Sequence, residues 1–391
     1  MARMRNPRRD ELDEVLALLN RVFNYEQIGY DPIKVRKFFD MLETNDVLVM
    51  EEDGKIVSHV FMKPYRMSIC GAILQGAEIG AVATEERYRG RGFASTLLKE
   101  ALRKMGERGY DISTLGGYRD RYSRFGWEQG GAACIYKINR RSVRCASDFS
   151  DVELSKYDPS DEVLRRRIIE SYERNQVHMI RQEVEQSLIY DAPALMGMEI
   201  WIARSSEAFA YLITRRSQNG SSIQVLEYGG DPKTLALGIR RAFREWDIEE
   251  AKVPSPNWYN EFTPFLERMS EEWSINPARQ INILNLWNCL EKLLPIAKRG
   301  AEEVLERLSS PYSLTLRISE TGQRATILFD RGCELTEEKG EEELILDRCG
   351  MVRLLFGQGR PSGTLKMGRR MASHLDLILP LPFYEWETDM R

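Results

Sequence analysis

Between Ile79 and Trp127 the chain runs strand, glycine-rich turn, helix and second strand without a break. Ile79 to Thr84 is a strand of small residues, and Arg89-Gly90-Arg91-Gly92-Phe93-Ala94 forms the turn after it. The helix that leaves the turn sets Ala94, Leu97, Leu98, Ala101, Leu102 and Met105 on one stripe, the i, i+3, i+4, i+7 spacing of a packed helix. Tyr110 to Leu115 is the second strand. Such an arrangement is suited to holding phosphate. Glycines let consecutive backbone N–H groups converge, and the helix N-terminus adds a favourable dipole. Arg89 and Arg91 can supply charge-assisted contacts to the same oxygens.

Two phosphate ligands compete for this loop. Gly90-x-Gly92-x-x-Ser95 is an imperfect dinucleotide fingerprint, with Asp111 at about the distance of a ribose-binding acid. That reading fails because Asp111 begins its strand and Ser95 replaces the third glycine or alanine. The spacing Arg89-x-x-Gly92-x-Ala94, directly after Ala81-Val82-Ala83-Thr84, fits better. It resembles motif A of the GCN5-related N-acetyltransferases, the GNAT superfamily, in which that loop binds the pyrophosphate of acetyl-CoA.

A length of 391 residues suggests two or three domains, and 42% hydrophobic content allows sizeable cores. The net charge of −4 argues against a nucleic-acid partner, which calls for a basic face. No apolar run reaches the roughly 18–20 residues of a membrane span, and the N-terminal MARMRNPRRDELDEV has no apolar signal core. The six cysteines are scattered, which reads as reduced thiols in a cytoplasmic protein. The three histidines show no metal-ligand spacing, so no metal is expected.

In chain order, residues 9 to 22 form an amphipathic helix, and Asp31-Pro32 starts a second containing Phe38, Phe39 and Leu42. Val47 to Glu51, Lys55 to Met62 and Tyr65 to Cys70 read as strands, and Ala132 to Val143 as the closing strand of the first domain. The pattern then restarts. Glu162 to Gln176 is helical, three strands follow between Glu199 and Tyr228, and Pro232 to Trp246 is a helix. Gly229-Gly230-Asp231-Pro232 sits where a phosphate loop would, but Pro232 lacks an N–H and no second cofactor is expected there. Beyond Asn285, helical stretches interrupted at Pro295 and Gly300 precede short strands, with Leu344 to Asp347 and Met351 to Phe356 the last of them. The apolar, aromatic tail Leu375 to Trp386 is expected to pack against a domain.

This layout resembles the Eis (enhanced intracellular survival) acetyltransferases, and Tyr122-Ser123-Arg124-Phe125-Gly126-Trp127 looks like that family's Tyr-x-Arg-Phe-Gly-aromatic signature. The resemblance implies an α/β (α+β) fold of tandem GNAT-like domains. The boundaries are 1–144 for the acetyltransferase domain, 145–284 for a degenerate second copy and 285–391 for a sterol-carrier-like α+β domain. A homo-oligomer, possibly of six subunits in that family, is implied as well.

Acetyl transfer to an amine needs bound CoA, a polarised carbonyl, a neutral amine and a proton for the departing thiolate. The resemblance gives Arg89, Gly90, Arg91, Gly92, Phe93, Ala94 and Ser95 to the pyrophosphate, and the backbone of Val82, Ala83 and Thr84 to the pantetheine arm. It makes Tyr122 the general acid. From spacing alone, Tyr118, Tyr122 and Phe125 are one aromatic core face. The base implied is the terminal carboxylate, here that of Arg391, although a charged ending departs from the family's aromatic one; a water relay or an internal acid is the alternative. The expected activity is acetyl-CoA-dependent acetylation of a primary amine: an aminoglycoside, a polyamine-like molecule or a lysine side chain. The competing reading is an acetyl-CoA sensor or lipid-binding protein without turnover. No Gly-x-Ser-x-Gly elbow or Walker loop occurs, and His59, His374 and Cys134 read as structural.

Overall fold

The computed structural model describes residues 2–24, 36–37, 39–40, 42–145, 152–306 and 311–389. The helix expected from Asp31 therefore lies largely outside them. Two compact units divide the chain: Met1–Gly131 with Arg279–Phe383, and Ala132–Ala278 with Tyr384–Arg391.

In the first unit the strands are β1 (Arg3–Arg5), β2 (Val47–Glu52), β3 (Lys55–Ile69), β4 (Ala72–Thr84), β5 (Ile112–Leu115) and β6 (Glu128–Gly130). They lie in that order, except that Arg279–Ile283 is inserted between β5 and β6. Where two strands were expected between Lys55 and Cys70, β3 is continuous. Pro64 sits in it beyond the stretch paired with β2, so the missing N–H does not interrupt that ladder. The Cys70-Gly71 turn has positive φ at both residues and folds β3 back onto β4. Alternation along β2 sends Leu48 and Met50 to one core, and Val47 and Val49 to the other. The first core is covered by the helix Phe93–Glu107 through Leu97, Leu98, Ala101 and Met105. The second is covered by the helix Leu12–Phe23 through Val15, Leu18 and Leu19.

The later part of this unit departs from sequence expectation twice. Leu286–Leu305 is one helix running through Pro295, because Leu286, Cys289, Leu290, Leu293 and Leu294 are all buried and packing outweighs the proline's local cost. Met351–Phe356, expected as a strand, is the end of the helix Arg348–Phe356. Asp347 caps it by accepting from Gly350 N at 2.6 Å, and burial of Met351, Val352, Leu354, Leu355 and Phe356 masks any helical stripe. Four further strands pair in the order Cys333–Thr336, Arg324–Phe329, Tyr312–Ile318, Glu342–Leu346.

The second unit contains β7 (Ala133–Asn139), β8 (Glu153–Lys156), β9 (Val177–Met179), β10 (Glu199–Arg204), β11 (Phe209–Arg216), β12 (Ser222–Gly230), β13 (Glu250–Pro256) and β14 (Glu272–Asn276). Its sheet runs β14-β7-β13-β12-β11-β10-β8. Thus the stretch expected to close the first domain lies instead between β13 and β14. Its alternating pattern is right for a strand but carries no information about which sheet receives it. Ile168, Ile189, Tyr190, Ile202, Tyr211 and Ile213 form the centre of this unit's core.

The end of the chain is held here by a buried ion cluster. Arg181 Nε donates to Asp389 Oδ1 (2.8 Å), Nη1 to the Tyr190 hydroxyl (2.6 Å) and Nη2 to Thr388 Oγ1 (2.8 Å) and to Glu227. The guanidinium lies 3.5 Å from the Tyr172 ring centroid, and the Tyr172 hydroxyl donates to Asp389 Oδ2 (2.7 Å). One fully buried cation thus compensates two buried carboxylates. Replacing Arg181 with Met leaves both uncompensated and is expected to cost about 3–5 kcal/mol. The check is a urea unfolding curve followed by intrinsic fluorescence, and an unchanged midpoint contradicts the assignment.

Candidate active site

In the first unit two parallel strands part. β4 pairs with β5 only over Gly76–Ile79 against Ile112–Leu115. β5 ends there, while β4 continues to Thr84 with no strand paired to it on that side among the described residues. Against β3, meanwhile, Ala81 and Val82 together oppose the single residue Val60. This is a β-bulge, with Ala81 at φ +46°. Backbone groups of the β4 end are therefore available to a ligand lying alongside.

Two side chains of β3 hold the bulge. His59 Nδ1 lies 2.9 Å from the Ala81 carbonyl, which can only accept, so Nδ1 carries the proton. His59 is fully enclosed, and burial pushes its pKa down to about 4 despite that hydrogen bond, so the ring is neutral. Ser58 Oγ donates to the Ala83 carbonyl (2.7 Å) and lies 2.8 Å from Thr84 Oγ1.

Beyond Thr84 the glycine loop leads into the helix Phe93–Glu107. Gly90 and Gly92 have φ of +79° and +80°, and nothing lies within 4 Å of where a Cβ would stand on either. Gly92 is the N-cap and provides no side chain to the first-turn N–H groups. Residues Arg89 to Gly92 are exposed, so these donors face open space. The two arginines differ. Arg89 reaches back to the Thr84 carbonyl (3.4 Å) and stays exposed. Arg91 forms a two-point ion pair with Glu52 on β2 and lies over the rings of Tyr88 and Phe93. Phe93, Ala94 and Ser95 are half-buried in the first helical turn.

The Tyr122 segment meets this turn. Arg119–Tyr122 is a short helical turn, continued by a tighter one through Phe125. Arg124 Nη2 donates to Ser95 Oγ (3.2 Å), joining the two motifs directly. Tyr122 and Phe125 are half-buried against the core that contains Trp127, with the Tyr122 ring edge-on to Trp127 at 6.5 Å. Tyr118 is 70% exposed, so the three aromatics do not share one core face. Burial raises the Tyr122 phenol above its usual pKa, a shift that neighbouring Arg121 only opposes, and the hydroxyl is protonated at neutral pH. Support for this loop comes from far along the chain. Asn282 Nδ2 donates to the Phe125 carbonyl (3.0 Å) and Gln280 Nε2 to the Gly117 carbonyl (2.6 Å). Sequence reasoning missed both, since no local pattern ties them to residues some 160 positions earlier.

Among the described residues, the buried carboxylates of this unit are engaged with cations. Glu78 pairs with Arg279, Glu128 with Arg119, and Asp111 with Lys292 (2.6 Å). Burial works against the charge on Glu128, yet the Arg119 guanidinium and the Gln129 N–H outweigh it and hold its carboxyl below the usual range. Asp111 also accepts from Gln75 N (2.7 Å) on the same oxygen and is fully buried, which places its carboxylate away from an exposed ribose. Arg391, expected as the base, lies outside the described residues. No group of three or more His, Cys, Asp or Glu that could hold a metal occurs among the described residues, and no helix among them is long and apolar enough to cross a membrane.

Residues 3–130 match the family model described as Acetyltransferase (GNAT) domain. The likeness to GNAT N-acetyltransferase domains lies in this part of the chain. Over 85 residues the chain is 32% identical to the "Uncharacterized N-acetyltransferase YhbS" of Escherichia coli K12, a match covering 22% of this chain and 50% of that protein. The chain therefore spans about half the length of the curated relatives it matches. In fold, the chain is similar to a "Probable N-Acyltransferase" from Enterococcus faecalis V583 (TM-score 0.73, 18% identity, 98% of this chain and 99% of that one). It is also similar to Eis1 from Mycobacterium abscessus (TM-score 0.66, 12% identity, 98% and 99% covered). GNAT acetyltransferases use acetyl-CoA, and the open glycine loop with its uncapped helix fits a diphosphate.

The bulge histidine generates a pH test. Its ordinary pKa is 6.5 and its folded value about 4, so in acid the unfolded chain takes up a proton that the folded chain refuses. Stability is full above pH 6.5 and falls as pH drops toward 4, by about 3 kcal/mol from this group. In His59→Gln, which can still donate to Ala81, this part of the acid destabilisation is absent. Urea midpoints of both proteins across that range check it, and parallel pH profiles contradict it.

Proposed function

We propose that the protein transfers an acetyl group from acetyl-CoA to a primary amine at the cleft of its first unit. The observation that carries this reading is the convergence of three features: the open glycine loop, the bulged and unpartnered end of β4, and the protonated Tyr122 beside the loop. Backbone N–H groups from Gly90 to Ser95, with Arg89, hold the diphosphate. Arg91 shapes the loop through Glu52 while adding positive potential. Val82, Ala83 and Thr84 hydrogen-bond the pantetheine arm as a strand would, and a bulge N–H polarises the thioester carbonyl.

In the transfer, the amine nitrogen bonds to the carbonyl carbon and the C–S bond breaks. Tyr122 gives its proton to the departing sulfur, and the amine proton passes to a base. The buried acids of this unit already face cations, which favours the carboxylate of Arg391 or a water as that base. In the same reading, the acetyltransferase domain, the degenerate copy and the sterol-carrier-like domain expected at 1–144, 145–284 and 285–391 keep that order, with Ala133–Asn139 given to the sheet of the copy. Parallel strands that part support the copy: β12 and β13 pair only over Ser222–Gln224 against Glu250–Lys252. The acceptors proposed are an aminoglycoside, a polyamine-like molecule or a lysine side chain.

Tyr122→Phe is expected to lower kcat about 10²–10⁴-fold while CoA affinity stays within about twofold. The check is turnover with an amine panel by mass spectrometry, alongside CoA calorimetry. Full turnover removes Tyr122 as the acid; no turnover by the parent protein with any amine favours the sensor reading. Extending the chain beyond Arg391 by a few residues is expected to lower kcat about 10²–10⁴-fold, the loss that goes with removing a general base. Unchanged turnover eliminates the terminal carboxylate and leaves a water.

A further inference from the structure

The second unit has a cleft of its own, of about 970 Å³. It opens where β12 and β13 part, between Gly229-Gly230 and Pro256, with the end of the helix Glu162–Glu173 as one wall. That volume suits a ligand of drug-like size.

Its phosphate-binding features have been replaced. Asp231 turns its carboxylate onto the following helix, accepting from Thr234 N (2.7 Å), and Pro232 removes a further donor. Gly230, at φ +101°, is where the backbone of Phe209 and Ala210 approaches most closely: a Cβ would lie 2.4 Å from the Phe209 carbonyl oxygen. This glycine serves strand packing. A negative charge already occupies the place where an anion would bind.

What lines the cleft favours the opposite charge. Tyr228 is at the floor, edge-on to Phe262 at 4.9 Å and to Trp386 at 5.1 Å, while Trp258 is half-buried and Tyr259 exposed. The carboxylates Glu170, Glu207, Asp231 and Glu261 outnumber the guanidinium groups of Arg167 and Arg174 by four to two. One of those cations, Arg167, already lies over the Phe209 ring at 4.5 Å. The polar side chain of Asn260 is also spent, accepting from Phe262 N and Thr263 N and donating to Ser255. Aromatic faces attract cations through their quadrupole, and an acidic rim concentrates them.

We propose that this cleft binds an organic ammonium ion with an aromatic or apolar body. The site is separate from the transfer chemistry proposed for the first unit and does not depend on it. The test uses the full chain with tryptamine, and with indole-3-acetate, which has the same ring and the opposite charge. Binding is read by saturation-transfer NMR and by isothermal titration calorimetry. Tryptamine is expected to bind about tenfold more tightly than indole-3-acetate. Trp258→Ala weakens it by about tenfold, and the double change Glu170→Gln with Glu207→Gln brings the two ligands within about twofold. Equal affinity of the two ligands in the unaltered protein overturns the proposal. So does absence of tryptamine binding up to about 10 mM, or binding that neither second-unit variant weakens.

Discussion

The geometry of the first unit depends on where β4 and β5 stop pairing. Up to Ile79 and Leu115 the two strands satisfy one another. Past that point, β4 carries on with backbone groups that need a partner, and the bulge at Ala81-Val82 re-aims them. Everything proposed for catalysis is placed by this divergence. The glycine loop is at the far end of β4, and the Tyr122 turn follows the end of β5. The gap between strands is a place where a ligand can complete the sheet. His59 and Ser58 keep the bulge in place from β3, so residues with no chemical role still govern which amides face the cleft.

The same device recurs in the second unit with different consequences. There too a parallel pair, β12 and β13, separates after a few residues and leaves a cavity. Local chemistry decides what each cleft accepts. In the first, an N-cap glycine leaves the helix N–H groups exposed to an anion. In the second, an aspartate caps the helix and a proline follows it, so the same position repels one. A few residues at the strand-to-helix junction thus separate the proposed diphosphate site from an acidic, aromatic cleft.

How much of this could be read from the chain follows from the range of the interactions concerned. The strand, loop and helix between Ile79 and Glu107 are encoded within some thirty residues, and the structure has them where the pattern places them. The loop's openness was legible because glycine and the lack of a capping side chain are local properties. Strand membership was not. Ala133–Asn139 and Arg279–Ile283 show strand patterns, but nothing local assigns the first to the second unit's sheet or the second to a place beside β5. Helix and strand were confused at Met351–Phe356 because burial on every side erases periodicity. Arg181 and Asp389, 208 positions apart, form a buried pair that no sequence spacing announces. Even Arg91, correctly placed in the loop, has its guanidinium committed to Glu52, a partner on another strand.

The central claim is that main-chain amides at the bulged end of β4 and in the glycine loop grip the cosubstrate. Hydrogen–deuterium exchange with and without CoA measures this directly. Protection confined to peptides covering Val82–Thr84 and Gly90–Ser95 is the predicted result. Protection centred instead on Gly229–Leu235 in the second unit, or none at saturating CoA, would contradict it.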